Sequence, residues 1–412
     1  MRVLHVVKTS DGAQWAAAQA GELIRRGVEV HVALPKMEGA AAAEWRDSGA
    51  KLHLAAIDFP NKAPWRLPAT CRIARKLVDE VLPDLIHSHH VGTTVVLRLA
   101  LGKDHLIPRI FQVPGPLHLE HPLFRNLELA TAGKYDSWIA SSKCILTHYE
   151  AAGIPASRLF LSYYGYRLWL HARERTNVLR TMLGISDSEL VVGNINWMYA
   201  PKYYLGQMVG LKCHEDIIDA LAIVTRQRRD VVGVLVGGVW GSAASYEKRL
   251  RARARAAAGD RIKMTGTLQP NIVRPAWPDF DCAVHVPLSE NCGGVLEPLV
   301  AGVPTIAGRV GGIPELVIEG VTGKTVNTRR PRELAAAILE VLENLGHYRA
   351  LAEVGRKIAT SLFDLHRNSE QVYRIYRHLL DPARQKPDFF ETCQFADPNL
   401  AVDSCSQPDA EM

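Results

Sequence analysis

A repeating alternation, interrupted once, limits what this chain can fold into. From the first residue, short β-branched runs alternate with longer amphipathic stretches. Val3–Val7, Val28–Leu34, Leu52–Ile57, Leu85–Ser88, Ile110–Val113 and Trp138–Ser141 read as strands. Gln14–Arg26 reads as a helix closed by Gly27, the residue type that most readily takes the left-handed turn after a last helical residue. Around residues 163–190 the rhythm stops: Tyr163-Tyr164-Gly165-Tyr166-Arg167 is turn-like, and a charged helical stretch runs on to Gly184. A second series follows, with strands expected at Leu190–Asn194, Val232–Val236, Arg261–Met264, Cys282–Val286 and Thr305–Ala307.

Strands separated by helix-length segments need crossover connections, which build parallel sheets covered by helices. The expected fold is therefore α/β, with two facing Rossmann-like domains at 1–180 and 185–360. Ser369–Leu380 has helical spacing (Val372, Ile375, Tyr376, Leu379, Leu380) within a segment 361–380, and the polar tail 381–412 is expected to be poorly ordered. Open sheets of this kind bind ligands at the carboxyl ends of their strands, so the chemistry belongs in strand-to-helix loops.

Composition narrows the function. A net charge of +6, from 49 Lys and Arg against 43 Asp and Glu, is too mild for a dedicated nucleic-acid binder. The seven cysteines are scattered and form no CxxC pair, so neither a disulfide framework nor a zinc cluster is indicated. Met1 leads straight into strand-like residues, and no uninterrupted apolar run reaches spanning length, which reads as a soluble cytoplasmic protein.

Four loops stand out. In Val284 to Ile306 a strand ends near Pro287, Gly293 and Gly294 allow close backbone approach, and a helix then presents its positive end, an arrangement suited to phosphate. Glu290 and Glu297 flank it, placed to face a sugar ring and a ribose; the plain alternative is a solvated Glu290 and a Glu297 that complements the helix dipole. Gly193-Asn194-Ile195-Asn196 leads through an insertion to Leu211-Lys212-Cys213-His214, where a lysine at a helix start suits a diphosphate. Lys8 to Trp15 follows the first strand but is not GxGxxG, which argues against a dinucleotide enzyme; its plain alternative is a helix start with Asp11 near the cap. Gln112 to His121 carries His118 and His121, with His87, His89 and His90 as competitors.

The segments Glu290 to Ile306 and Gly311 to Lys324 resemble, in order, the signature blocks of the retaining, nucleotide-sugar-dependent glycosyltransferases of family 4, which have the GT-B fold. The resemblance covers most of residues 1–380. It implies transfer of a glycosyl unit from a nucleotide diphosphate sugar to a saccharide, lipid-linked saccharide or small-molecule hydroxyl, with no cofactor and no metal. It implies that Glu297 binds the ribose hydroxyls and Glu290 faces the donor sugar, although the family has seven residues between these glutamates and this chain has six, with Ser289 at the family's position. Lys212 takes the family's diphosphate-binding lysine. Asn194 replaces the second cation, an arginine, for which Lys202 is the candidate. Gly12, Asn291, Gly293, Gly294, Val295 and Leu268 complete the implied donor site, and His118 fills the family's histidine near acceptor and donor sugar. The helix Ser369–Leu380 would cross back onto the first domain.

Two other readings share the architecture: a nucleotide-sugar 2-epimerase, and a non-catalytic glycan binder. Among the surplus bases, Arg226 to Arg229 and Lys248 to Arg255 read as solvated faces of second-domain helices. Arg66, Arg72, Arg75 and Lys76 line an amphipathic stretch with Leu67, Ile73 and Leu77, which suits weak peripheral contact with anionic lipid at the inner face of a membrane, or simply a surface helix packed on its apolar side.

Overall fold

In the computed structural model, which describes residues 1–168, 172–241 and 243–388, the chain divides into two compact units. Among the described residues, the first comprises Met1–Arg167 and residues 363–388, and the second comprises residues within Leu168–Leu362.

The first unit is built on a parallel sheet of seven strands: β1 (Arg2–Val6), β2 (Glu29–Leu34), β3 (Lys51–Leu54), β4 (Leu85–Ser88), β5 (Arg109–Val113), β6 (Asp136–Ala140) and β7 (Leu159–Leu161). Their spatial order is β3-β2-β1-β4-β5-β6-β7, so the order reverses at β1 and β4, where His5 lies opposite His87. The central strands β5 and β6 are buried at every position, and their polar first residues are compensated by a buried ion pair, Arg109 to Asp136 at 2.7 Å. The expected strand to Ile57 stops at Leu54, because the chain turns where the Ile57 N–H donates to the Ala55 carbonyl at 3.1 Å.

The second unit repeats the design with β8 (Leu190–Ile195), β9 (Val231–Val236), β10 (Ile262–Gly266), β11 (Cys282–His285), β12 (Thr305–Gly308) and β13 (Lys324–Val326), ordered β10-β9-β8-β11-β12-β13 and all parallel. Its order reverses at β8 and β11, and the two most informative loops of the sequence follow these strands.

The last helix, Leu365–Leu380, starts earlier than its spacing predicts, because Asp364 Oδ1 accepts the Arg367 N–H at 2.7 Å and caps it. Its apolar stripe, Val372, Ile375 and Tyr376, is fully buried in the core of the first unit. The expectation of a poorly ordered tail falls, from residue 389 onward, outside the described residues. No helix among the described residues is long and apolar enough to cross a membrane.

Candidate active site

The second unit gathers its polar residues around Glu290, in the loop between β11 and the helix Gly293–Val300. Its Oε2 forms an ion pair with the Lys212 ammonium and lies 3.3 Å from His285 Nε2, while Oε1 accepts the Asn291 N–H at 3.1 Å. His285 Nδ1 is 3.2 Å from Asn196 Nδ2. The amide donates to Nδ1, which leaves the Nε2–H to donate to Glu290. Burial alone would raise the Glu290 carboxyl; Lys212 and His285 outweigh it and hold the group at about 2. Glu290 is thus a carboxylate at any working pH. The Lys212 and Glu290 side chains keep 12% and 17% of their exposure, so the pair stands at the edge of solvent where a ligand can reach it.

Two glycines belong to this geometry. A Cβ at Gly294 would overlap the His285 imidazole, so a side chain there would displace the ring that orients Glu290. Gly311, at φ +54°, turns the second signature segment so that the next N–H, from Gly312, donates to the Glu290 carbonyl at 3.3 Å.

The other predicted donor residues of the second unit make contacts of their own. Glu297 accepts the Trp277 indole N–H at 2.9 Å. Val295 is fully buried, Asn291 nearly so, and Leu268 packs against the core beside β10. Lys202 precedes the short turn Tyr203–Leu205, and its backbone N–H donates to Gln207 Oε1 at 3.0 Å. Asn194 and His214 are buried with no hydrogen-bond partner for any side-chain polar atom among the described residues, and burial holds His214 at about 3, hence neutral.

In the first unit, Asp11 does not cap the first helix. Thr9 Oγ1 instead accepts the N–H groups of both Asp11 and Gly12 at 3.2 Å, and the chain enters Gln14–Arg25 through Ala13 at φ +65° with no side-chain cap. His118 packs against Phe111, with Nε2 3.2 Å from the Tyr149 hydroxyl, and burial pulls it down to about 4. His87 and His89 are fully buried and belong to a chain of hydrogen bonds. Tyr164 donates to the Gln112 carbonyl (2.9 Å) and faces His89 Nδ1 (3.2 Å); His89 Nε2 faces His5 Nδ1 (2.9 Å). His5 Nε2 faces the Tyr376 hydroxyl (3.4 Å), which faces His87 Nδ1 (2.5 Å). One set of neutral tautomers satisfies every link in one direction, and burial lowers the pKa of all three rings, which keeps them neutral.

Two family models match: residues 13–168 match Glycosyltransferase Family 4, and residues 203–344 match Glycosyl transferases group 1. The D-inositol 3-phosphate glycosyltransferase of Segniliparus rotundus is 25% identical over 356 residues, spanning 81% of this chain and 77% of that protein. The sulfoquinovosyl transferase SQD2 of Arabidopsis thaliana is 35% identical over 328 residues, 73% of this chain and 58% of that one. The fold is shared with Anabaena HepE, solved with UDP-glucose, at a TM-score of 0.73 and 21% identity over 90% of this chain and 98% of that chain. The chain belongs to the family 4 glycosyltransferases.

Both units carry the match and both sequence relatives are transferases, so the epimerase reading is not favoured. In this transferase the carboxylate that meets Lys212 belongs to Glu290, while Ser289 is buried. Cys213, directly after Lys212, stands at φ +51°, a conformation that costs a side-chain-bearing residue roughly 1–2 kcal/mol. The sequence reading missed His285, Asn196 and Trp277. His285 lies near the end of a predicted strand, five residues before Glu290, which is the one signal that pointed to it.

Proposed function

We propose that the chain is a retaining, metal-independent glycosyltransferase that moves a sugar from a nucleotide diphosphate sugar to a hydroxyl of a saccharide or polyol, free or lipid-linked. The observation that carries this reading is the Lys212–Glu290–His285 cluster at the head of the helix Gly293–Val300. In this proposal Lys212 and the N–H groups of Gly293 and Gly294 hold the diphosphate, with Lys202 as a second cation. Asn291 lines the sugar, Glu297 takes the ribose hydroxyls, and Leu268 adjoins the base. We assign His118 no proton transfer, since it packs on Phe111 and Tyr149; it shapes the acceptor loop.

The bond between the anomeric carbon and the diphosphate oxygen breaks, and the acceptor oxygen bonds to the same face of the sugar. The acceptor's proton passes to the departing oxygen. Ionised Glu290 lowers the energy of the positive charge that builds on the sugar ring, and Lys212 that of the negative charge on the leaving diphosphate. These cations and N–H groups serve the charge balance without a metal. The five described cysteines form no disulfide, which supports a cytoplasmic setting.

A thermal-shift screen against UDP-, GDP-, ADP- and TDP-sugars identifies the donor by the rise in Tm that binding imposes. Transfer assays then follow with that donor. Retained anomeric configuration by NMR, activity that survives EDTA, and loss of at least a hundredfold in kcat/KM in Lys212→Met are expected. An inverted product, EDTA inactivation, or an epimerised nucleotide sugar formed without acceptor would each overturn the corresponding part of the reading.

A further inference from the structure

The surplus of positive charge is displayed unevenly, and one stretch of the first unit combines it with exposed apolar side chains. Between Phe59 and Val78 there are five bases, Lys62, Arg66, Arg72, Arg75 and Lys76, and no acid. This stretch forms the turn Pro64–Arg66 and the helix Leu67–Val81. The helix cannot roll, because Thr70, Ala74, Leu77, Val78 and Val81 are buried against the unit. Its opposite face shows Arg66, Ala69, Ile73 and Lys76 at spacings of three, four and three, with Arg72 beside them and all exposed. Trp65, in the turn that leads into the helix, is 75% exposed, and Ile73 is 45% exposed.

Leaving most of a tryptophan in water forgoes the largest burial gain any side chain offers. Beside a row of cations, that exposure suits a bilayer interface, where the indole sits at headgroup depth and bases meet anionic phosphates. The bases are available for this: Lys62, Arg66 and Arg72 have no ion pair among the described residues. Lys76 reaches only Glu80, at 3.5 Å between exposed side chains, and Arg75 is turned to the Ala100 carbonyl. On the second unit, by contrast, Arg251 and Arg253 are already paired with Glu247 and Asp219.

We propose that the face formed by Lys62, Trp65, Arg66, Arg72, Ile73 and Lys76 docks the first unit on a phospholipid surface bearing anionic headgroups. Trp65 and Ile73 enter the headgroup layer while the bases lie against the phosphates. The turn Pro64–Arg66 follows β3 at the carboxyl edge of the sheet, the same edge as the Lys8–Ala13 loop after β1. The docking itself is independent of the donor chemistry; that it delivers a lipid-linked acceptor rests on the proposed function.

The test is cosedimentation of the full chain with sucrose-loaded vesicles of phosphatidylcholine alone or with 30 mol% phosphatidylglycerol, a probe composition we choose at roughly the anionic content where bases bind measurably, at about 0.1 M salt. Binding to the anionic vesicles only, and release at about 0.5 M salt, are expected. Arg66→Ser/Arg72→Ser should weaken partitioning roughly thirtyfold, and Trp65→Ala should weaken it further, with Tm unchanged because these side chains are exposed. Arg251→Ser/Arg253→Ser is the control and should bind as the unaltered chain does. Absence of binding to anionic vesicles, equal binding by the patch variants, loss in the control alone, or capture of a duplex oligonucleotide in place of vesicles would each overturn the proposal.

Discussion

Glu297 shows how one hydrogen bond decides what a residue is available to do. Its carboxylate is held by the Trp277 indole at 2.9 Å, which fixes one oxygen, and the proposed ribose contact falls to the other. In the proposed function a ribose would need that orientation in the bound ground state and the transition state alike, so losing it should act on binding rather than on chemistry. Trp277→Phe keeps the ring and removes the donor. Donor KM is expected to rise roughly tenfold, the cost of one charge-assisted hydrogen bond, with kcat within about twofold in steady-state kinetics. A structural defect would lower kcat as well. The two glutamates and Lys212 were legible because their spacing against glycines and a helix start carries chemistry by itself. Trp277 and Asn196 were not, since an indole twenty residues before Glu297 and an amide on another strand meet their partners only once the sheet has formed.

Among the elements, the helix Leu365–Leu380 carries the clearest consequence. Its spacing predicted a buried stripe, and Val372, Ile375 and Tyr376 form it. The pattern did not show that the Tyr376 hydroxyl would bridge His87 and His5. Tyr376→Phe leaves both rings facing an apolar edge inside the core, and it should destabilise the first unit by about 1–3 kcal/mol in urea unfolding, with the second unit's transition unmoved. His87, His89 and His90 read in sequence as competitors for chemistry because they lie at the end of a strand, and the same placement brings His87 and His89 against His5 as neutral packing. The strands β7 and β13 escaped the reading for a different reason: with three residues each, they are too short for a period of two to show against chance.

For the whole molecule, these buried rings set how stability depends on pH. His5 in the first unit and His214 in the second are both held at about 3 by burial, below the ordinary value near 6.5. The unfolded chain therefore binds more protons as pH falls below about 6.5, so their contribution is complete above that pH and is lost progressively toward 3. Glu290, held at about 2, acts in the same direction from about pH 4.5 downward. Each histidine costs about 1.4 kcal/mol per pH unit in this window. Calorimetry should show Tm falling for both units between pH 7 and pH 5, and His214→Asn should flatten the slope of the second unit alone.

The path of the chain through the two units bears on how the protein is made. Residues 1–167 emerge from the ribosome first, yet the core they belong to includes Val372, Ile375 and Tyr376. Among the described residues the second unit is contiguous, and those residues have been synthesised before that helix appears. The half that is translated first is thus the half that finishes folding last, and until then its open face is the nascent chain's exposed apolar surface.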